Sequence, residues 1–287
     1  MRSALLLVNH HSRQGQRNYP IIQSHLKNLG FNLITRDSKH PLEISQLILD
    51  HQQDVDLVII GGGDGTLNAA ISGMVQTQLP LGIIPLGTAN DLARTLKIPT
   101  NLKTACDIIA RGKQQHIDLG KVNEQYFFNV ASLGLSVDIT NKLTAAAKKR
   151  WGVFAYATAA FKVLLKSRPF SAKISHQGET IKVKTVQIAI GNGRHYGGGM
   201  TIVHDAAIHD QRLDLYSLEI RHWWEMIKLV PSLWLGHYPR KNVRLLEGKE
   251  FFIETKKPRS INTDGEITGK TPAKFEVIPR ALTVIIP

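Results

Sequence analysis

A chain of 287 residues, 43% of them hydrophobic, is long enough for one large domain or two medium ones and apolar enough to bury a core. Its single cysteine, Cys106, excludes an internal disulfide framework and fits a reducing compartment. The formal charge of +13 is uneven, 12 Lys/Arg against 10 Asp/Glu in residues 1–128 and 24 against 13 in residues 129–287, which turns one half towards an anionic partner.

The first apolar run, Ala4 to Val8, is too short for a signal-peptide core and reads as a buried strand. No stretch approaches the roughly 18 uninterrupted apolar residues of a membrane-spanning helix. A helix should follow, with Pro20 near its first position, Ile21, Ile22, Leu26 and Leu29 on one face and Gly30 past its end. Phe31 to Thr35 reads as the second strand, and Ile44, Leu47 and Ile48 mark the next helix.

Two strand–loop–helix units come next. VDLVII leads into GGGDGT (Gly61 to Thr66), and Leu67, Ala70, Ile71, Met74 and Val75 then fall on one helical face. LGIIP leads into LGTAND (Leu86 to Asp91) and a short helix stopped at Pro99. Glycines let backbone approach a ligand, and the free N–H groups of a helix start attract phosphate. Asp64 and Asp91, at neighbouring loop ends, could hold a cation that already carries phosphates. The chemistry suggested is a nucleoside triphosphate with magnesium. Neither GxxxxGK[ST] nor GxGxxG occurs here, so this is no standard P-loop or dinucleotide fingerprint. The competing reading is a pair of tight turns without a ligand, which two acidic loops in tandem disfavour. Ala105, Ile108 and Ile109 give a third amphipathic turn, closed at Gly112.

The alternation argues for an open parallel α/β domain over residues 1–125, with ligands at the carboxyl ends of its strands. From 126 to 287 the segments are short and β-rich, which predicts a mostly antiparallel second domain. AKISHQGETIKVK reads as a hairpin, and LDLYSLEI, NVRLLEG, EFFIET, FEVIP and ALTVII as further strands. Helical segments interrupt at 141–168 and 223–235 and hold Trp151, Trp223, Trp224 and Trp234. Residues 139–178 carry eight Lys/Arg, including Lys148, Lys149 and Arg150, and no acid. Cations beside tryptophans suit an anionic membrane interface; the alternative is a core helix with a solvated basic edge. The histidines show no paired zinc spacing, and no nucleic-acid recognition motif is present. Asp264-Gly265 is a hairpin signal between two strands.

GGGDGTLN, PLGTANDLA, HIDLG, GNGRHYGGG and INTDGE, in this order, resemble the diacylglycerol-kinase catalytic family, its YegS-like bacterial lipid kinases above all. The resemblance spans essentially the whole chain. It implies a Rossmann-like first domain related to that of NAD kinases, and a cytoplasmic enzyme peripheral to the inner membrane face. Such an enzyme transfers the γ-phosphate of ATP, with Mg2+, to the hydroxyl of diacylglycerol or a related glycerolipid. The nucleotide would then be held by Thr35, by Gly62, Gly63, Asp64, Gly65, Thr66, Leu67 and Asn68, and by Thr88. Asp64 and Asp91 would stand around Mg-ATP, Asp118 in a supporting polar network, and Glu266 would be the general base. A second metal would be held by Asp210 and the carbonyls of Ala207 and Arg212. The chain departs from the pattern at Ala69, where an acid is usual, at Gln211, where Gly is usual, and at Asn9-His10, where Asn-Pro is usual. NAD kinase and a non-catalytic nucleotide- or lipid-binding regulator are the rival readings. The acceptor lipid and the oligomeric state, a homodimer included, are left open.

Overall fold

The computed structural model describes residues 2–9, 12–37, 40–142, 168–193, 195–196, 200–201, 207–220, 225 and 242–287. The interrupting segments expected at 141–168 and 223–235 lie almost entirely outside these residues. So do the four tryptophans, Lys148, Lys149 and Arg150.

The first part runs β1 (Arg2–Val8), α1 (Arg13–Asn28), β2 (Phe31–Arg36), α2 (Glu43–Asp50), β3 (Leu57–Gly62), α3 (Asp64–Thr77), β4 (Leu81–Pro85), α4 (Asp91–Thr95) and α5 (Leu102–Arg111). β1 pairs in parallel with β2 and β3, and β3 with β4. β1, β3 and β4 are nearly all apolar and buried because helices cover both faces, whereas β2, at the sheet edge, is half polar and mostly half-buried or exposed. Leu5, Leu7, Val58 and Ile60 pack with Ile48 of α2 and Leu67 and Met74 of α3. Ala4, Leu6, Ile59 and Ile84 pack with Ile22 and Leu26 of α1 and Cys106 of α5.

Pro20 does not open its helix. α1 starts at Arg13, where the Ser12 hydroxyl accepts the Gly15 N–H at 2.9 Å, and Pro20 lies inside it. A side-chain cap further upstream, with a backbone hydrogen bond from Gln16 to the Ser12 carbonyl, outranks the preference of proline for a first turn.

The second part adds β5 (Gln114–Val122), β6 (Gln125–Phe127), β7 (Val130–Gly134), α6 (Leu135–Lys142), β8 (Phe170–His176), β9 (Glu179–Thr185), β10 (Gln187–Gly191), β11 (His195–Tyr196), β12 (Met200–Thr201) and β13 (Leu213–Leu218). β14 (Val243–Gly248), β15 (Glu250–Thr255), β16 (Ser260–Thr263), β17 (Glu266–Lys270) and β18 (Ala273–Ile285) complete it. An antiparallel sheet in the order β14-β13-β10-β7-β16-β17 faces β8, β15 and β18. Between them lie Leu133, Ile188, Ile190, Leu213 and Leu215 on one side and Ile174, Phe251, Ile253 and Phe275 on the other. The Gln177-Gly178 hairpin forms as the sequence predicts, with φ of 50° and 81° at its two turn residues.

The two segments FEVIP and ALTVII form one strand, β18, with a register shift between Ile278 and Leu282. Its first half pairs with β15; near its end Val284 pairs in parallel with Leu81 of β4. β5 follows β18 along both halves. A cut at residue 125 therefore crosses one continuous sheet.

Candidate active site

The glycine loops leave neighbouring strands in register, Gly62 opposite Pro85, and touch backbone to backbone. A Cβ on Gly87 would stand 2.5 Å from the Gly63 Cα and 2.7 Å from the Asn90 Oδ1, so no side chain fits at that crossing. Asn90, in the left-handed region at φ 51°, closes its loop by accepting the Gly87 N–H and donating to the Gly87 carbonyl, both at 2.8 Å. At the start of α3 the N–H groups of Thr66 and Leu67 turn back to the Gly63 carbonyl. Those of Asp64 and Gly65, earlier in the turn, have no partner inside a helix.

Asp64 and Asp91 begin successive helices, α3 and α4. The Asp64 carboxylate accepts the N–H of Leu92 at 3.2 Å, which brings it beside Asp91. Two acids and exposed helix N–H groups at one strand end suit a magnesium ion with phosphates attached.

Glu266 reaches this place from the other sheet. Its Oε1 lies 3.6 Å from where a Cβ on Gly65 would stand. The hairpin that carries it is pinned by its neighbour Asp264. The Asp264 carboxylate accepts the N–H groups of Phe128, Asn129 and Val130 at 2.7, 3.0 and 2.9 Å, while its own N–H donates to the Val130 carbonyl at 2.9 Å. Burial pushes the Asp264 carboxyl up to about 6, against the pull of those N–H donors and helped by the charge of Asp64. The Asp-Gly pair reads as a hairpin, and it is one, with φ of 46° and 99°. Sequence reading missed the second use of the aspartate; the only local signal is an acid where asparagine would serve the turn equally well.

The remaining candidates divide. Thr35 is half-buried near the end of β2, opposite Leu6 of β1, and Thr88 is exposed on the second loop. Thr66 accepts a hydrogen bond from Asn9 at 3.3 Å. The Leu67 side chain belongs to the core, so only its backbone faces the loop. Asn68 keeps a buried Oδ1 without a hydrogen-bond partner. Asp118, 1% exposed, ties two distant segments by accepting the N–H of Gln211 and that of Arg280, both at 2.7 Å.

Asp210 lies in the same loop as Gln211, which takes the left-handed φ of 60° that a glycine would adopt freely. Donors converge on the Asp210 carboxylate: the N–H of Ala207, the N–H of Arg212 and the Arg212 Nε, at 3.3, 3.3 and 3.1 Å. Arg212 also meets Glu247 at 2.7 Å and Asp214 at 3.7 Å. A carboxylate filled by N–H donors is a poor cation ligand, and Ala207, Asp210 and Arg212 as they stand do not fit a second metal. Among the described residues no group of three or more His, Cys, Asp or Glu could hold one.

A parallel sheet carrying two Gly-Asp loops is joined through its last strand to an antiparallel sandwich, and the relatives of this chain place it in the lipid-kinase class. Residues 3–122 match the diacylglycerol kinase catalytic domain and residues 129–286 the YegS C-terminal NAD kinase beta sandwich-like domain; the chain belongs to the YegS-like diacylglycerol kinase catalytic-domain family. A candidate lipid kinase of Staphylococcus epidermidis is 32% identical over 243 residues, 82% of this chain and 78% of that protein. A diacylglycerol kinase of Staphylococcus aureus is 29% identical over 238 residues, 82% of this chain and 76% of its own. A solved structure from Bacillus anthracis, described as a candidate diacylglycerol kinase, is 26% identical and superposes with a TM-score of 0.87 over 100% of this chain and 95% of its own. Among the described residues no helix is long and apolar enough to cross a membrane.

Proposed function

We propose that the chain transfers the γ-phosphate of ATP to the hydroxyl of diacylglycerol or a related glycerolipid. The approach of Glu266 to Gly65, in the first turn of α3, carries this reading, because it sets a carboxylate from one domain over the phosphate-binding loop of the other. Gly62 to Asn68 and Thr88 would hold the phosphates, with Thr35 at the same sheet edge. Asp64 and Asp91 would hold Mg2+, which when bound neutralises phosphate charge and orients the nucleotide. Glu266 takes the proton of the lipid hydroxyl as its oxygen attacks the γ-phosphorus in line, and ADP leaves with the bridging oxygen. The lipid must be met at a surface, and the basic half is the part suited to an anionic bilayer on the cytoplasmic side.

The deciding experiment offers γ-labelled ATP with diacylglycerol, sphingosine and NAD in mixed micelles. Label should pass to the glycerolipid. Label on NAD alone would replace the reading with that of an NAD kinase, and ATP binding without transfer would leave a regulator. On vesicles, binding should rise with anionic lipid and fall with salt.

A further inference from the structure

We infer that Asp264 is the positioning residue of this site, fixing through the backbone where Glu266 stands; the inference rests on the proposed role of Glu266 as base. Glu266 is exposed, and its side chain has no hydrogen-bond partner among the described residues. Among the described residues nothing at the carboxylate itself holds it over α3. Its place is set by the hairpin behind it, in which Thr263 pairs with Glu266 around Asp264 and Gly265.

That turn is clamped from two sides. Asn262 Oδ1 accepts the Gly265 N–H at 2.9 Å, and Asp264 binds three successive N–H groups, Phe128 to Val130. The clamped segment is itself tied to the nucleotide side. Thr95 of α4, the helix begun by Asp91, donates to Asn129 Oδ1 at 3.3 Å. The Asn129 carbonyl accepts the N–H groups of Asn192 and Gly193. The route from Asp91 to Glu266 thus runs through α4, Asn129 and the Asp264 carboxylate. An asparagine at 264 would keep one acceptor oxygen but set an amide NH2 against the Phe128 N–H, letting the turn move. A displacement near 1 Å can cost about 100-fold in rate.

The test is a double-mutant cycle on kcat and on KM for ATP. Asp264→Asn should lower kcat about 10- to 100-fold with KM for ATP unchanged. In a Glu266→Gln background the same change should cost less than about threefold, because a base already absent cannot be misplaced. Gly265→Ala strains the turn at φ 99° while leaving the Asp264 carboxylate and its three N–H partners in place, its Cβ meeting nothing within 4 Å among the described residues; it should show the same dependence on Glu266 and decides the matter if Asp264→Asn fails to fold. Losses that add fully to those of Glu266→Gln, or a weakened ATP affinity, would overturn the positioning role while leaving the base in place. An unchanged kcat in Glu266→Gln would instead remove the base, and the positioning role with it.

Discussion

The Asp64 carboxylate accepts the backbone N–H of Leu92 at 3.2 Å, so the acid of one glycine loop holds the first turn of the helix that follows the other. This gives Asp64 a structural use separable from its expected use at magnesium. Asp64→Asn keeps an acceptor for Leu92 and should unfold at the temperature of the parent, yet lose nearly all ATP turnover. Asp64→Ala should lose turnover and also about 1 kcal/mol of stability, the usual value of such a cap. Thermal unfolding beside a turnover assay separates the two, and normal Mg-dependent turnover in Asp64→Asn would remove the residue from the metal.

The glycines of the loops should respond differently to a single methyl group. Gly87→Ala drives a Cβ to 2.5 Å from the Gly63 Cα and should cost about 1–3 kcal/mol as the loops part. Among the described residues Gly65→Ala meets only Glu266, at 3.6 Å. Placed in a helix it should leave stability level or raise it by about 0.5–1 kcal/mol, while narrowing the space between base and loop and so lowering activity. Equal unfolding temperatures for the two variants would contradict the crossing.

The Asp264 carboxyl, with its pKa raised from 3.8 to about 6, makes a signed contribution to stability. The folded protein holds this proton up to about pH 6, whereas the unfolded chain releases it near pH 4. The penalty is absent below about pH 4, grows as pH rises to about 6 and stays level above, at about 3 kcal/mol. Asp264→Asn removes the titration, whatever constant offset it adds. The difference in unfolding free energy between parent and variant should therefore slope across pH 4–6 and be flat from 6 to 8; a slope of opposite sign would mean that the N–H donors outweigh burial.

At Asp210 the cation is provided by the chain. Calcium or magnesium without nucleotide should give no unfolding shift that depends on Asp210, because Arg212 already neutralises it. Arg212→Met leaves Asp210, Asp214 and Glu247 without the cation they share and should lower stability by about 1–3 kcal/mol, with no recovery on adding calcium or magnesium. A shift in the parent that survives Asp64→Ala and vanishes in Asp210→Asn would restore a metal there.

Much of the first sheet was legible because its information is local. Alternating apolar runs and helical periodicities mark β1 to β4 and α1 to α5, and each glycine loop announces itself within six residues. The start of α1 was misread because the Ser12 cap is fixed by a contact to Asn9, whereas Pro20 is conspicuous in the sequence. β18 read as two strands because its register shift at Arg280, φ 51°, looks like a turn until β5 is seen running past it.

The sequence alone determined the strand order of chemistry: two acidic glycine loops at helix starts, a late acid in a hairpin, and the charge of the second half. Tertiary structure decided which of these meet. The Asp264 clamp spans 134 to 136 residues, and Val284 returns to Leu81 across the whole second part. Backbone N–H groups carry no side-chain signature, so a carboxylate bound to three of them looks, in sequence, like any turn aspartate. Only folding, which takes that carboxylate from water and leaves it those partners, shows what it holds.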